Sequence, residues 1–443
     1  MRRAFLFACL CPFVLVTFLA ARPRAHAAQA PEGCAGDLSG ERIAFYHFGD
    51  LSGPFSPLTL PVLAGFEDAI AYFNSQGGLC GAEVAMEYRD TGGRQEAAQA
   101  AWDEFSAQDD ITIMFVYLTE DAELLRDQAE ERRLPLVVSS GSVAALYGES
   151  ADDPAWVFSV TPLYADQLGA FCDYVADNWD SFGIAGPPVL GHVSFLGALG
   201  QSSDTPEARA YCQAQGIGYA GAQYYFPTLS DISTQLNEVL RTGANIIYTT
   251  SVASGPAQVA TTLEALGLRQ QVLLGGPNIV LDTTTITLGG RAVEGILGHL
   301  PYLWWDEIGN VGIQTMTDYW TENRLNTASD PAQAYGLRNV AYLVAWGAVD
   351  LYIELMRETI NRVGLANING VQMFKTMTGG QTYSALDGVI TIDYAGEKRA
   401  PRQTRLGSIR FIEKDGVLTP QILPLTDFFE APDLRPAGRD VVK

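Results

Sequence analysis

The sequence predicts an α/β protein of two doubly wound, parallel-sheet lobes joined by a hinge of several strands. Three observations carry this reading. Short apolar runs alternate with amphipathic stretches from residue 42 onward, the alternation starts afresh after residue 162, and helices return late in the chain before its last strands. Alternation of this kind is how parallel strands and their crossover helices read. At 443 residues the chain also exceeds the ~250–300 that one core serves, so two cores are expected.

Residues 42–48 are nearly all apolar, as a strand covered on both faces must be. Residues 58–76 then set Val62, Phe66, Ala69, Ile70 and Phe73 at helical spacing, and Gly77-Gly78 stops the pattern. The same rhythm recurs at 83–88 with 94–107, at 112–117 with 120–132, and at 134–139. After 157–162 a second series follows: helix 165–179, strand 189–195, helix 206–215, strand 219–226, helix 229–242, strand 246–250, helix 256–266 and strand 272–275. Helices at 312–324 and 333–363 come next, then strands at 388–393 and 404–413 and a turn at Lys414-Asp415-Gly416. The late helices need a sheet to cover and are assigned to the first one. No low-complexity tether separates the halves, so the expected lobes are 31–161 with 302–395 and 162–301 with 396–443. That interleaving implies several crossings, which suits domain closure.

The first thirty residues bear on compartment. Arg2 and Arg3 precede an apolar run, 4–21, and small-x-small sites follow at Ala25-His26-Ala27 and Ala28-Gln29-Ala30, so residues 1–30 read as a cleaved secretory signal. Cys9 and Cys11 lie inside the run, too early for lipid attachment, and no other segment has the length and apolarity of a membrane span. A periplasmic protein that is not membrane-embedded is expected. Removing a segment with four arginines and no acid takes the formal charge from -23 to about -27, which argues against a nucleic-acid partner, since phosphate binding needs clustered Lys and Arg. Four cysteines remain, Cys34, Cys80, Cys172 and Cys212, an even number in an oxidising compartment, so two disulfides are expected. Three pairings are open; the sequential one puts a bridge in each half.

Catalytic motifs are thin. His47, His192 and His299 have no HExxH spacing and no short cysteine partner pattern, and there is no Gly-x-Ser-x-Gly elbow, Walker loop or post-strand Gly-x-Gly-x-x-Gly. The chain therefore reads as a non-enzyme with no cofactor and no metal site.

Open parallel sheets bind ligands beyond the carboxyl ends of their strands. The loops in that position are 49–56, 117–121, 139–144, 161–166, 196–203, 249–255 and 276–281. Their hydroxyl, amide and aromatic residues are the candidate ligand-binding set: Ser52, Phe55, Tyr117, Thr119, Ser140, Ser142, Tyr164, Thr250 and Asn278. Each has a competing structural role, since Ser and Thr after strands cap helices and loop aromatics pack on the body. Glu120 and Asp121 read first as first-turn carboxylates that favour a helix start and second as cation receptors. Asp90 reads as a turn or cap residue, and Trp304-Trp305 as either hinge packing or cleft wall.

Several segments, in order, carry a resemblance. They are Leu51-Ser52-Gly53-Pro54-Phe55, the helix ending Phe73-Asn74-Ser75-Gln76-Gly77-Gly78-Leu79-Cys80-Gly81, Leu134-Pro135-Leu136-Val137-Val138-Ser139-Ser140, and Val157-Phe158-Ser159-Val160-Thr161-Pro162. Glu294-Gly295-Ile296, the Ala334-Tyr335 helix and Leu386-Asp387-Gly388-Val389-Ile390-Thr391-Ile392-Asp393 follow. Through them the chain resembles the type I periplasmic binding proteins, in the leucine/isoleucine/valine-binding branch that serves ABC transporters, over residues 42–420. The resemblance implies a Venus-flytrap of two Rossmann-like lobes, a monomer that closes on a small-molecule ligand and delivers it to ABC transporter permease subunits. In amino-acid-binding relatives the ligand carboxylate meets small hydroxyl residues and backbone N–H groups at the helix start after the third strand. Here that place holds Tyr117-Leu118-Thr119-Glu120-Asp121, and an acid pair repels a carboxylate in a desolvated cleft. A tyrosine that relatives carry in the second lobe falls near Leu199-Gly200, and the acid that receives the ligand ammonium falls at Asn278. The expected cargo is thus a small polar or aromatic solute. Binding of a branched-chain or other amino acid despite these changes stays open, as does a sensor that presents its closed lobes to a membrane signalling partner.

Overall fold

The computed structural model of the chain describes residues 33–252, 254–414 and 416–435; the expected signal segment lies outside them. In the first series, β1 (Arg42–Gly49), α1 (Ser56–Ser75), β2 (Glu83–Asp90), α2 (Gln95–Ser106), β3 (Met114–Val116), α3 (Thr119–Arg132), β4 (Leu136–Val138), α4 (Val143–Tyr147) and β5 (Val157–Ser159) alternate as the apolar pattern requires. The second series is α5 (Tyr164–Asn178), β6 (Val189–Phe195), α6 (Ala198–Gln201), α7 (Pro206–Ala214), β7 (Gly218–Tyr225), α8 (Ser233–Arg241), β8 (Ile246–Tyr248), α9 (Ser254–Ala265), β9 (Leu273–Gly275), α10 (Thr283–Gly289) and β10 (Leu297–His299). The tail adds α11 (Val311–Trp320), α12 (Pro331–Gly336), α13 (Val340–Val363), α14 (Gly370–Met377), β11 (Thr382–Ser384), α15 (Ala385–Gly388), β12 (Ile390–Asp393), β13 (Gln403–Thr404), β14 (Leu406–Lys414), β15 (Val417–Pro424) and β16 (Phe429–Glu430).

These strands build two main sheets, the α/β architecture that the sequence predicts. The first has the order β2-β1-β3-β4-β5 and is parallel throughout. The second runs β15-β14-β10-β9-β8-β6-β7, with β14 and β15 added antiparallel at one edge of five parallel strands. Buried side chains fill both faces of the first sheet. On one face Phe45 and Phe115 of the strands meet Phe66 of α1 and Tyr352 of α13, and on the other Tyr46 meets Phe105 of α2, with Trp102 of α2 and Leu125 of α3 in the same cluster. The late helix α13 packs along α1, and its Tyr352 hydroxyl donates to Ala44 O of β1 at 2.9 Å. The two helices touch at Gly65, where a Cβ would come within 2.7 Å of Tyr342 O.

Several boundaries differ from the sequence reading for local reasons. The helix expected over 333–363 is broken into α12 and α13 at Asn339, whose extended backbone (φ -135°) lets its side chain cap α13 by accepting from Tyr342 N at 3.0 Å. The strand expected from 388 begins at Ile390, because Leu386 and Asp387 both take left-handed φ values of 51°. The helix expected over 229–242 begins at Ser233, whose N–H is taken by Asp231. The three-residue β10 is too short to show a periodicity, and β15 carries Pro420 and Pro424, residues that read against a strand.

Three passages of the described chain link the two sheets, and they lie side by side. Ser159 N donates to Arg399 O at 2.7 Å, the Tyr394 hydroxyl to Ser159 O at 2.9 Å, Leu300 N to Arg405 O at 2.8 Å and Arg405 Nη2 to Tyr302 O at 3.0 Å. Disulfides join Cys34 to Cys80 and Cys172 to Cys212, one flanking each series. Among the described residues no helix is long and apolar enough to cross a membrane.

Candidate functional site

In each sheet the strand order reverses beside the first strand of its series, between β1 and β3 and between β6 and β8. Loops diverge at such switch points and leave a crevice at the carboxyl ends of the strands. Here the two crevices face one another. Phe55, after β1, sets its ring 6.5 Å from that of Phe195 at the end of β6. Glu120, after β3, accepts at Oε1 from Leu199 N, after β6, at 3.1 Å. Ser140, after β4, donates to Oδ1 of Asn278, after β9, at 3.4 Å.

Each contact has a local cause. The β1–α1 loop is folded round the buried Asp50, whose carboxylate accepts from Gly53 N at 2.5 Å and Phe55 N at 2.8 Å, fixing the Phe55 ring at the rim. Ser52 lies in this loop, exposed, beside Asp90, and Asp90 Oδ1 also accepts from Leu51 N and Gly92 N at 2.8 and 2.9 Å. Asp90 thus acts as the turn residue that the sequence suggests. Across the cleft Gly197 has φ 127°, and a Cβ there would stand 2.9 Å from Glu120 Oε1, so a glycine is what admits the acid.

The structure gathers five of the sequence-chosen residues into one buried polar network. The Tyr164 hydroxyl meets the Ser140 and Thr119 hydroxyls, and Tyr117 meets Ser139. Ser140 also pairs with the Thr161 hydroxyl. Asn278 is held by its backbone, with N donating to Gln167 Oε1 at 2.8 Å and O accepting from the Tyr302 hydroxyl at 3.3 Å. Burial pushes the Tyr117 and Tyr164 phenols far above their ordinary range, so both stay neutral donors. Two candidates point elsewhere. Ser142 caps α4, accepting from Ala145 N at 3.1 Å, and donates to Glu123 at 2.6 Å. Thr250 pairs with Ser203 at 2.7 Å inside the second sheet's own loops.

Other residues at the junction were not among the candidates chosen from the sequence. Thr161, Gln167 and Tyr302 belong to the crossings or to a helix interior. Asp282 is buried at the seam, where it accepts from Thr284 N at 2.7 Å and from Val340 N at the start of α13 at 3.0 Å. Trp305 is a packing residue: its indole donates to Asn339 O at 2.9 Å and its ring lies against Trp320 and Tyr342.

Asp121 is 3% exposed, and burial, then the charges of Glu120 and Asp50, push its carboxyl up to about 7. His47, His192 and His299 are buried in strands of the two sheets. Burial depresses His47 and His192 to about 4 and His299 to about 3, which leaves neutral rings inside the sheets. What the arrangement at the cleft offers is hydrogen bonding and aromatic surface. Among the described residues no group of three or more His, Cys, Asp or Glu is placed to hold a metal ion.

Comparison with known proteins gives a consistent picture. A family model described as periplasmic binding protein matches residues 47–416. Among solved structures, a branched-chain amino acid ABC transporter protein from Thermus thermophilus with bound valine is similar at TM-score 0.73 and 19% identity, over 88% of this chain and 98% of that one. A fatty acid ABC transporter substrate-binding protein from Thermomonospora curvata is similar at TM-score 0.72 and 16% identity, over 92% and 97%. A solute-binding protein of an ABC transporter from Rhodopseudomonas palustris HaA2 in complex with p-hydroxybenzoic acid is similar at TM-score 0.70 and 15% identity, over 89% and 98%. At these identities the likeness is one of fold. No curated protein matches the chain in sequence.

Proposed function

This chain belongs to the periplasmic binding protein family, and on that premise we propose that it is the extracytoplasmic solute-binding receptor of an ABC transporter. It takes one small polar or aromatic molecule into the cleft between residues 31–161 with 302–395 and residues 162–301 with 396–443, and presents the closed form to the permease. Tyr117, Thr119, Ser140, Tyr164 and Asn278 supply the polar contacts and Phe55 an aromatic wall. The observation that carries the reading is the meeting of the two switch-point crevices, with Glu120 on Leu199, Ser140 on Asn278 and Phe55 opposite Phe195. The relatives above take valine, a fatty acid and p-hydroxybenzoate on this fold, so the fold leaves cargo to the loop residues.

Closure couples to binding because most of these contacts exist only when the lobes meet; a solute that fits the closed form shifts the population toward it. A thermal-shift screen of amino acids, amides, polyols and aromatic acids on ligand-stripped protein, followed by calorimetry, tests the reading. One chemical class is expected to bind one molecule per chain and to stabilise the fold by about 2.7 kcal/mol at a hundredfold excess over Kd. Silence across a broad library would contradict it.

A further inference from the structure

We infer that the cleft selects a small solute bearing a positively charged nitrogen, an ammonium or guanidinium group, which sits between Glu120 and Asp121 at the start of α3 with its apolar body against Phe55 and Phe195. This rests on the receptor reading above and names its cargo.

The first observation is an imbalance of hydrogen bonding. Glu120 Oε1 accepts from Leu199 N, whereas Glu120 Oε2 and Asp121 Oδ2 are both buried with no hydrogen-bond partner. Nearly all buried polar atoms in folded proteins find partners, so two orphaned carboxylate oxygens on adjacent residues require a reason. Asp121 is 3% exposed, and the charges that act on it are Glu120, from its own helix turn, and Asp50, from the β1–α1 loop. Its carboxylate is thus buried within reach of two other acids, and both of these neighbouring charges are negative.

The bland explanation, that these acids serve the helix dipole, falls short in magnitude. First-turn carboxylates gain about 0.3–1 kcal/mol from a helix N-terminus, up to ~2 kcal/mol in buried geometries. Taking an unpaired carboxylate out of water costs several kcal/mol. The dipole does not cover that cost for Asp121, which is buried beside Glu120 and Asp50. A donor with a full positive charge does, because it pairs with both oxygens in the medium where pairing is strongest.

Two further features suit such a solute. The Phe55 and Phe195 rings meet edge to face across the cleft at 6.5 Å, and Tyr225 lies edge-on to Phe195 at 5.3 Å, which gives an aromatic wall for the body of the solute. The formal charge of -23 attracts cations to the molecule and repels carboxylates. A metal ion is a poor occupant, since among the described residues no cluster of three ligating side chains is placed to hold one.

Two matched triads of probes separate charge from shape: tyramine, tyrosol and 4-hydroxyphenylacetate, and cadaverine, 1,5-pentanediol and glutarate. Calorimetry on the ligand-stripped protein is expected to show an amine binding tighter than its matched alcohol and acid. Asp121→Asn and Glu120→Gln should each weaken that amine on the order of thirtyfold or more. Glutamine keeps an acceptor for Leu199 N, so its loss reads charge and not closure. A melting curve for each variant checks its fold, and Asp121→Asn, which removes a buried charge, should melt no lower than the parent. If the alcohol or acid of each triad binds as tightly as its amine, or if both variants keep full affinity, the cation inference falls and the receptor reading stands. If neither amine binds while a neutral or acidic solute from the broad screen does, the outcome is the same. Silence from all six probes and from the broad screen overturns both.

Discussion

Asp166 lies buried on α5, where it accepts from Leu434 N at 2.9 Å, and burial pushes its carboxyl up to about 7. Between its ordinary value of 3.8 and about 7 the folded chain keeps a proton that the unfolded chain has lost, so this residue costs stability progressively as pH rises through that window. Asn at this position keeps an acceptor for Leu434 N and removes the titration. Asp166→Asn is therefore expected to exceed the parent in stability at pH 8, by on the order of 2 kcal/mol, with the difference vanishing near pH 4. Chemical denaturation of both proteins at the two pH values checks this; a gap that is the same at both would contradict it. In the cleft, Ser140→Ala and Tyr117→Ala should each lower ligand affinity by about three- to tenfold, the worth of one hydrogen bond, with a melting curve that stays cooperative. Unchanged affinity in both would remove these residues from the site. Hydroxyls that directly follow strands, such as Ser140 and Thr119, stand out in a sequence because position alone marks them. The partners that hold the site do not. Gln167 sits inside a helix and reaches Asn278 only because α5 crosses behind β9, and the hold of Glu120 on Leu199 exists only once the lobes meet.

At the scale of elements, the glycine at the start of the β6–α6 turn decides whether the two loops can approach. Gly197→Ala places a Cβ 2.9 Å from Glu120 Oε1 at a φ of 127° that L side chains rarely adopt. The expected result is a loss of roughly 1 kcal/mol or more in stability and a matching loss in affinity, read by melting and by titration with whichever solute binds. Affinity equal to the parent's would show that Glu120 plays no part in closure. The bridge between Cys172 on α5 and Cys212 on α7 spans 40 residues, and cross-linking a loop of that length gives about 4 kcal/mol by the loop-entropy model. Replacing both cysteines by alanine is expected to lower the unfolding free energy by that order, read as an earlier denaturation midpoint, and an unchanged midpoint would contradict it. Elements with a clean period were legible: α1 carries its apolar stripe and β6 its apolar run in the sequence itself. Those set by tertiary contact were not. Asn339 ends one helix and starts another because Asp282 and Trp305 meet the chain there, and the segments before Ile390 and Ser233 depart from the regular pattern through local backbone turns.

For the whole molecule, two largely parallel sheets with opposed switch points are joined by three adjacent crossings near Ser159, Tyr302 and Arg399, and the proposed function requires the molecule to open and close about them. The alternation of βα units made this architecture readable, because each unit repeats a pattern that only a covered parallel sheet satisfies. Cargo was less legible, since it depends on a few side chains whose partners lie on the opposite lobe. The central claim is that a solute holds the lobes together. Small-angle X-ray scattering of the ligand-stripped protein, recorded without and with a saturating solute that calorimetry has shown to bind, measures it directly. The account predicts a smaller radius of gyration in the bound form and a scattering curve that matches the closed structure; an identical curve in both states, with binding verified in the same sample, would contradict it.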